Sequence, residues 1–222
     1  MRRIVDRVWK AGEALPSEEK LADEFNVSVG TLRKAVQALA HEGIVERIHG
    51  KGTYVTRAYE RASMLRFVRF RGARTDEVPT ARILDMRTNR TTDPIREKLR
   101  LGKAGKALYL HRTRSFRDDL VLVEHIWLPL PLFAKLQPYL KTESPPLLYP
   151  AYDAVCGVAV ARAVDELSIG ALSAEDALIL GLPASDSCMN IERTMHDHAG
   201  NVVEWRKSVV PKDRFHYTVE IK

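Results

Sequence analysis

Residues 12–55 read GEALPSEEKLADEFNVSVGTLRKAVQALAHEGIVERIHGKGTYV, and the signals in this stretch decide the architecture of the first quarter of the chain. Ser17 follows Pro16 as an N-cap. Glu18 and Glu19 then occupy the first turn, where the helix dipole favours anions, and Leu21, Ala22 and Phe25 repeat at helical spacing, so a helix is expected to about Glu24. Asn26-Val27 turns the chain and Ser28 caps a further helix over about Val29 to His41. Its apolar set is Leu32, Ala35, Val36, Leu39 and Ala40, with Thr31, Arg33, Lys34, Gln37 and His41 facing away from the core. Gly43 ends it. Two short strand-like runs, Ile44 to Arg47 and Thr53 to Thr56, flank His49-Gly50-Lys51-Gly52 and predict a hairpin with a basic tip. Upstream, a short helix is expected over about Arg2 to Trp9, broken at Gly12. Two helices joined by a tight turn and followed by a hairpin make a winged helix-turn-helix, whose later helix enters the major groove of DNA while the wing touches backbone or minor groove.

The charge agrees in sign. The chain has 222 residues, 45% of them hydrophobic and 29% charged, with a formal net charge of +6, which fits a globular protein with a real core. Residues 1–74 hold 15 Lys+Arg against 9 Asp+Glu, whereas residues 75–222 balance at 20 against 20. The asymmetry points to a polyanion partner for the N-terminal third and a neutral remainder. Most of the excess sits in residues 57–74, where Arg57, Arg61, Arg66, Arg69, Arg71 and Arg74 face Glu60 alone. These arginines read equally as a solvated linker or as phosphate contacts. Two cysteines, Cys156 and Cys188, make no disulfide framework, no apolar run reaches bilayer length, and no signal peptide is readable. The expected location is the cytoplasm.

Beyond residue 74, strands are expected at Ala81 to Arg87, Ala107 to Phe116, Val121 to Leu128, Met189 to His196, Val202 to Val210 and Phe215 to Ile221. Arg117-Asp118-Asp119 and Asp197 to Asn201 turn two hairpins. Helices are expected at Asp93 to Leu99 with Asp93 as N-cap and Pro94 at N1, at Leu132 to Leu140, at Pro146 to Cys156, and at Ala174 to Gly181 after a Ser173 cap. The fold class is therefore α+β, with an N-terminal winged helix-turn-helix and a C-terminal antiparallel sheet. In the first hairpin, alternation sets Leu108, Leu110, Arg112 and Arg114 on one face and Tyr109, His111, Thr113 and Ser115 on the other. Two guanidiniums at the end of a partly buried face repel each other and lose solvation, so they want an anion or carboxylates. Glu124 on the adjoining strand is available, and Glu204 and Arg206 stand together later. Pattern alone leaves an anion site and an internal ion-pair network both open.

Leu15-Pro16-Ser17-Glu18, Leu21-Ala22, Val27-Ser28, Thr31-Leu32-Arg33, Glu42-Gly43 and Gly50-Lys51-Gly52-Thr53 fall in order and spacing such that residues 12–55 resemble the DNA-binding domain of the GntR family of bacterial transcription regulators. Many members carry arginine where Glu19 and Val29 stand here. The resemblance then leaves Ser28, Gly30, Thr31 and Arg33, with the wing residues His49, Gly50, Lys51 and Gly52, as the implied DNA contacts. Relatives usually have another turn before the position of Arg2, which leaves open an upstream start or a thinner domain. The segment from about Leu65 to Lys222 is similar to the UTRA effector-binding domain of the HutC subfamily, a fold similar to chorismate lyase. Its marks are Arg112-Thr113-Arg114, Glu124, Leu147-Leu148-Tyr149 and Val203-Glu204-Trp205-Arg206. By this resemblance Arg112, Arg114, Glu124, Tyr149, Glu204 and Arg206 surround a small metabolite bearing carboxylate or phosphate. A hydroxyl residue usually stands in place of Leu147 in sugar-phosphate binders, which favours a carboxylate or a less polar ligand.

The expected organisation is a DNA-binding domain over residues 1–56, a linker over 57–74 and an effector-binding and dimerisation domain over 75–222. The expected function is a metabolite-responsive repressor that binds double-stranded operator DNA as a homodimer and is released by a small anionic effector. The alternative is a lyase-like enzyme acting on a carboxylated small molecule. No catalytic residue, cofactor or metal is expected. His196 and His198 with Cys188 lack a matching fourth ligand, Gly50-Lys51-Gly52-Thr53 lacks a P-loop's spacing, and no nucleophile elbow supports a triad from His111, His125, Ser115 and Asp118. Trp127 and Trp205 read as core aromatics.

Overall fold

The computed structural model describes residues 2–5, 8–10, 12–41, 44–56, 69–70, 79–117 and 119–216. Its N-terminal part follows the punctuation closely. After a short α1 (Arg2–Val5), α2 (Glu18–Phe25) is capped by the Ser17 hydroxyl, which accepts from the Lys20 N–H, and ends where Asn26 turns left-handed. Next comes α3 (Val29–His41), capped by the Ser28 hydroxyl accepting from the Thr31 N–H at 3.1 Å. Strands β1 (Val45–Ile48) and β2 (Gly52–Val55) pair antiparallel to form the wing. Leu15, Leu21, Ala22, Leu32, Val36, Ile44, Val45 and Val55 close with Ile4 into one small core. Two expected core residues lie outside it: Ala35 is exposed, and Phe25 is exposed beneath the Arg3 guanidinium, 4.9 Å from its ring centroid.

A six-stranded antiparallel sheet organises the rest. Its strands are β4 (Thr80–Arg90), β5 (Lys106–Phe116), β6 (Asp119–Pro129), β7 (Val160–Ala171), β8 (Ser187–Asp197) and β9 (Val202–Pro211), in the order β4-β5-β6-β9-β8-β7. Short helices α4 (Asp93–Lys98), α5 (Leu136–Thr142), α6 (Leu148–Cys156) and α7 (Ala174–Leu180) cover its two faces. Leu108, Leu110, Ile126, Leu128, Met195 and Val203 pack on one face against Phe133, Leu136, Tyr149 and Tyr152 from the α5–α6 region. On the other face, α7 seals one end through Ala177 and Leu180 over Val123 and Val209, and Leu99, following α4, packs near Trp205 at the other. Between them Tyr109, His111, His125, Trp127 and Trp205 form a continuous aromatic stripe.

Several expectations need correction. Strand β7 was not anticipated. It is an edge strand whose composition, VARAVDELSIGA, is poor in β-formers, because only its start is buried and pairing to β8 along its length supplies its order. In α4 the N-cap is Thr92 rather than Asp93, whose carboxylate instead takes Arg96 at 2.6 Å. The helix expected from Leu132 begins at Leu136 and the one expected from Pro146 begins at Leu148, because Pro138 and Pro150 are tolerated only in a first turn. Inside the stretch expected to link the two domains, β3 (Arg69–Phe70) pairs antiparallel with β10 (Phe215–His216). The remaining expectations at Gly43, Asp118, most of residues 57–74 and residues 217–222 lie outside the described residues.

Candidate functional site

Two groups of expected site residues come together. On the N-terminal part, Ser28, Gly30, Thr31 and Arg33 lie exposed along the first turns of α3. The Ser28 hydroxyl is committed to the cap and lies 2.8 Å from the Thr31 hydroxyl. A Cβ on Gly30 would meet only Ser28 Oγ at 3.9 Å, so packing within the chain does not require glycine there. At the wing tip Gly50 and Gly52 take φ of +72° and +119°, a left-handed path that lets β1 reverse into β2 with His49 and Lys51 exposed.

Glu18 ties these elements together, accepting from Arg33 Nε at 2.8 Å and from Arg47 Nη2 at 2.7 Å. One carboxylate thus sets the position of a recognition-helix arginine and a wing arginine at once. Sequence reasoning did not single out Arg47. Its signal was available, since an exposed arginine on β1 two residues before the basic hairpin tip shares the wing's outer surface.

The second group is buried. Alternation along β5 and β6 places Arg112 directly across from Glu124. Arg112 Nε donates to Glu124 Oε2 at 2.5 Å, and Arg206 Nη1 donates to Glu124 Oε1 at 2.8 Å. Arg206 also grips Glu204 through Nε at 2.9 Å and Nη2 at 3.1 Å, and lies over the ring of Tyr149, 5.4 Å from its centroid. Arg114 is held more loosely. It donates to the Pro79 carbonyl at 3.2 Å and comes no nearer than 3.9 Å to Glu124.

The six expected residues are all buried together, and two further groups that were not anticipated complete the cluster. Tyr152, one turn after Tyr149, donates to Glu204 Oε2 at 2.5 Å. Arg193, paired across the β8–β9 register with Arg206, makes two 2.6 Å bonds to Asp165. Both follow from spacing that was readable: an i,i+3 step on a helix, and the partner set by the second hairpin turn.

Four guanidiniums, Arg112, Arg114, Arg193 and Arg206, therefore face three carboxylates, Asp165, Glu124 and Glu204. Among the described residues, Arg112 Nη2 and Arg114 Nε are buried donors with no hydrogen-bond partner. Burial alone would raise Glu124, but Arg112, Arg206 and Arg114 overturn this and hold its carboxyl far below the ordinary range. Burial, with repulsion from Arg112 and Arg206, pulls Arg114 down to about 10 despite the attraction of Glu124. Among the described residues the arrangement is an ion-pair network with one cation in excess, so it both satisfies its carboxylates and offers a buried site to an anion.

Residues 1–55 match the bacterial regulatory proteins of the gntR family, and residues 74–216 match the UTRA domain. The chain belongs to the gntR family of regulators that carry a UTRA domain. This gntR/UTRA regulator is 26% identical over 207 residues to the HTH-type transcriptional repressor NagR of Bacillus subtilis, covering 90% of this chain and 82% of NagR. To the HTH-type transcriptional repressor PhnF of Mycolicibacterium smegmatis it is 27% identical over 222 residues, 98% of this chain and 89% of PhnF. Its fold is similar to the ligand-binding domain of a GntR-family transcriptional regulator from Bordetella bronchiseptica, with a TM-score of 0.64 and 26% identity over 71% of this chain and 98% of that domain. The regulator is thus a DNA-binding transcription factor with an effector-binding domain, and these relatives give no support to the lyase-like alternative. Among the described residues no helix is long and apolar enough to cross a membrane.

Proposed function

We propose that this regulator is a cytoplasmic, homodimeric repressor of the HutC type, released from its operator when a small monoanion enters the buried arginine cluster. Its working parts are a reading head over residues 1–56, a connection over 57–74 and a sensing and dimerising domain over 75–222. One reading head contacts a half-site, so two-fold pairing of chains supplies operator specificity. Ser28, Gly30, Thr31, Arg33 and the wing His49 to Gly52 carry the contacts, with Arg47 beside them.

The observation that supports the sensing half is the imbalance of four guanidiniums against three carboxylates, with Arg112 Nη2 and Arg114 Nε buried and unengaged among the described residues. A single negative charge neutralises that surplus, whereas a dianion overshoots it, so a carboxylate fits better than a doubly charged phosphate. Leu147, which begins α6 as its N-cap without a side-chain hydrogen bond, offers no hydroxyl to a phosphate.

The test is fluorescence anisotropy on duplexes from the regulator's own promoter, with a panel of carboxylates and phosphates added. A carboxylate should release the wild-type protein, and Arg114→Met should still bind the duplex but no longer respond. A protein that ignores the duplex at low salt refutes the DNA-binding role, and an Arg114→Met variant with a normal response moves the effector site elsewhere.

A further inference from the structure

On the sheet face opposite the arginines, successive residues of the same two strands bring a second polar group together. His111 and His125 are cross-strand partners, with ring centroids 4.4 Å apart and planes 19° from parallel. Asp176 reaches them from the first turn of α7. Its Oδ1 lies 2.9 Å from His125 Nε2, and its Oδ2 accepts from the Ser173 hydroxyl at 2.7 Å. One donor atom from each of His111, His125 and Asp176 lies within 4.8 Å of the others. Glu175, which precedes Asp176 in α7 and is exposed, has Oε1 3.6 Å from His111 Nδ1.

A hydrogen-bonded relay explains only part of this. Tyr109, His125 and Asp176 form a complete chain, with the Tyr109 hydroxyl 2.7 Å from His125 Nδ1. His111 has no place in that chain, yet it is only 4% exposed, and its Nε2 is buried with no hydrogen-bond partner among the described residues. A buried imidazole nitrogen without a partner is unfavourable, and an ion bound by both rings would use it. Carboxylates stand against both rings, with Asp176 Oδ1 2.9 Å from His125 Nε2 and Glu175 Oε1 3.6 Å from His111 Nδ1, and they can balance the charge of an ion held there.

We propose that His111, His125 and Asp176, with exposed Glu175 as the fourth ligand, form a binding site for a divalent transition-metal ion such as Zn2+. Two imidazoles and carboxylates are the donor set that borderline ions prefer, whereas Mg2+ and Ca2+ favour oxygen alone. Metal–donor distances of about 2.1 Å in a tetrahedron place donors roughly 3.4 Å apart, so the observed spread closes with side-chain rotation. Tyr109 and Ser173 already hold the outer atoms of His125 and Asp176, which orients both toward the ion. The ion enters past exposed Glu175. This site is distinct from the His196, His198 and Cys188 grouping that the sequence had excluded, because Cys188 and His196 stand near opposite ends of β8.

The test uses the full-length chain without an affinity tag. Zn2+ titrated by calorimetry should bind at one equivalent per chain, and Co2+ should give the intense visible bands of a tetrahedral site. His125→Ala and Asp176→Asn should each weaken binding by at least about tenfold, while His198→Ala leaves it unchanged. If a variant fails to fold, the wild-type protein still decides: Zn2+ should protect His111 and His125, rather than His41, His49 or His198, from carbethoxylation read by peptide mass. Absence of saturable binding at one equivalent overturns the proposal. So does binding retained by the His111→Ala/His125→Ala double variant, or protection confined to exposed histidines.

Discussion

Replacing Arg114 by methionine should stabilise the effector-free regulator, against the usual rule that losing a buried side chain destabilises. The native state disfavours this charge. Among the described residues its side chain is 6% exposed, its nearest carboxylate is 3.9 Å away and already bonded to Arg112 and Arg206, and its one hydrogen-bond acceptor is the Pro79 carbonyl. The fall from the ordinary 12.5 to about 10 corresponds to roughly 3 kcal/mol by which the folded protein penalises the protonated group at neutral pH. Methionine keeps most of the aliphatic stem, so the loss is the Pro79 bond and some packing, about 1–2 kcal/mol. The balance is a gain on the order of 1–2 kcal/mol, or a rise in Tm of roughly 2–8 °C for a chain of this size. Glu124→Gln provides the contrast. It leaves four guanidiniums facing two carboxylates and should lose about 3–5 kcal/mol. Circular-dichroism melts at pH 7.5, in buffer free of carboxylate and phosphate, measure both. If Arg114→Met lowers Tm as far as Glu124→Gln does, Arg114 is an integral member of the ion-pair network and the surplus-cation argument fails.

Other consequences are independent of that one. Arg33→Ala should weaken operator binding by about 1–3 kcal/mol and relax sequence preference, read by anisotropy on operator and scrambled duplexes; equal loss on both would make Arg33 a phosphate contact only. Glu18→Ala releases Arg33 and Arg47 from their shared carboxylate, so affinity for any duplex should rise and its dependence on salt should steepen. Because the folded pKa of Glu124 lies far below its unfolded value of 4.5, its contribution is complete above that pH and is lost as pH falls below it. Wild-type Tm should therefore drop steeply between about pH 5 and pH 3, and Glu124→Gln should flatten that slope. An unchanged slope would assign the acid sensitivity to other carboxylates.

Much of this site was legible because β-strands make geometry out of counting. Alternation alone put Arg112 and Arg114 on the apolar face and made Glu124 on the adjoining strand an available partner, and the register sets Glu124 directly across from Arg112. The same counting reaches Arg193 once the turn at residues 197–201 is used to pair β8 with β9. Edge strand β7 was illegible for a physical reason: with one neighbour and little burial, it has no need of the branched and aromatic residues that announce a strand. The helix starts expected at Leu132 and Pro146 fall too early because an apolar run marks where a helix can extend but not where it begins, whereas Pro138 and Pro150 are tolerated only in a first turn and fix the starts at Leu136 and Leu148. Asp176 could not be joined to His125 by pattern at all. The two are 51 residues apart, and only the packing of α7 on the sheet brings them together.

On the proposed mechanism, the energy needed to work the switch is already present in the effector-free cluster. Shifting operator affinity about a hundredfold takes roughly 2.7 kcal/mol of coupling. The penalty held at Arg114, roughly 3 kcal/mol from its depressed pKa, is of that size and is relieved when an anion sits beside it. Relief counts toward regulation only in so far as it differs between the DNA-competent and DNA-incompetent arrangements, since a ligand that binds both equally moves nothing. The switch therefore requires a mechanical link between the arginine cluster and the reading heads. β3 offers one, because Arg69 and Phe70 lie within the connecting stretch and pair with Phe215 and His216, which follow β9 after one 3-10 turn at Lys212–Arg214, and β9 is the strand that carries Glu204 and Arg206. A shift of Arg206 toward a bound anion acts on the same strand whose continuation holds the connection. Uncoupling should then be possible without touching either site: Phe70→Pro removes a backbone donor at that pairing, and should leave duplex binding and anion binding intact while abolishing release. Release that persists in Phe70→Pro would place the link elsewhere in the chain.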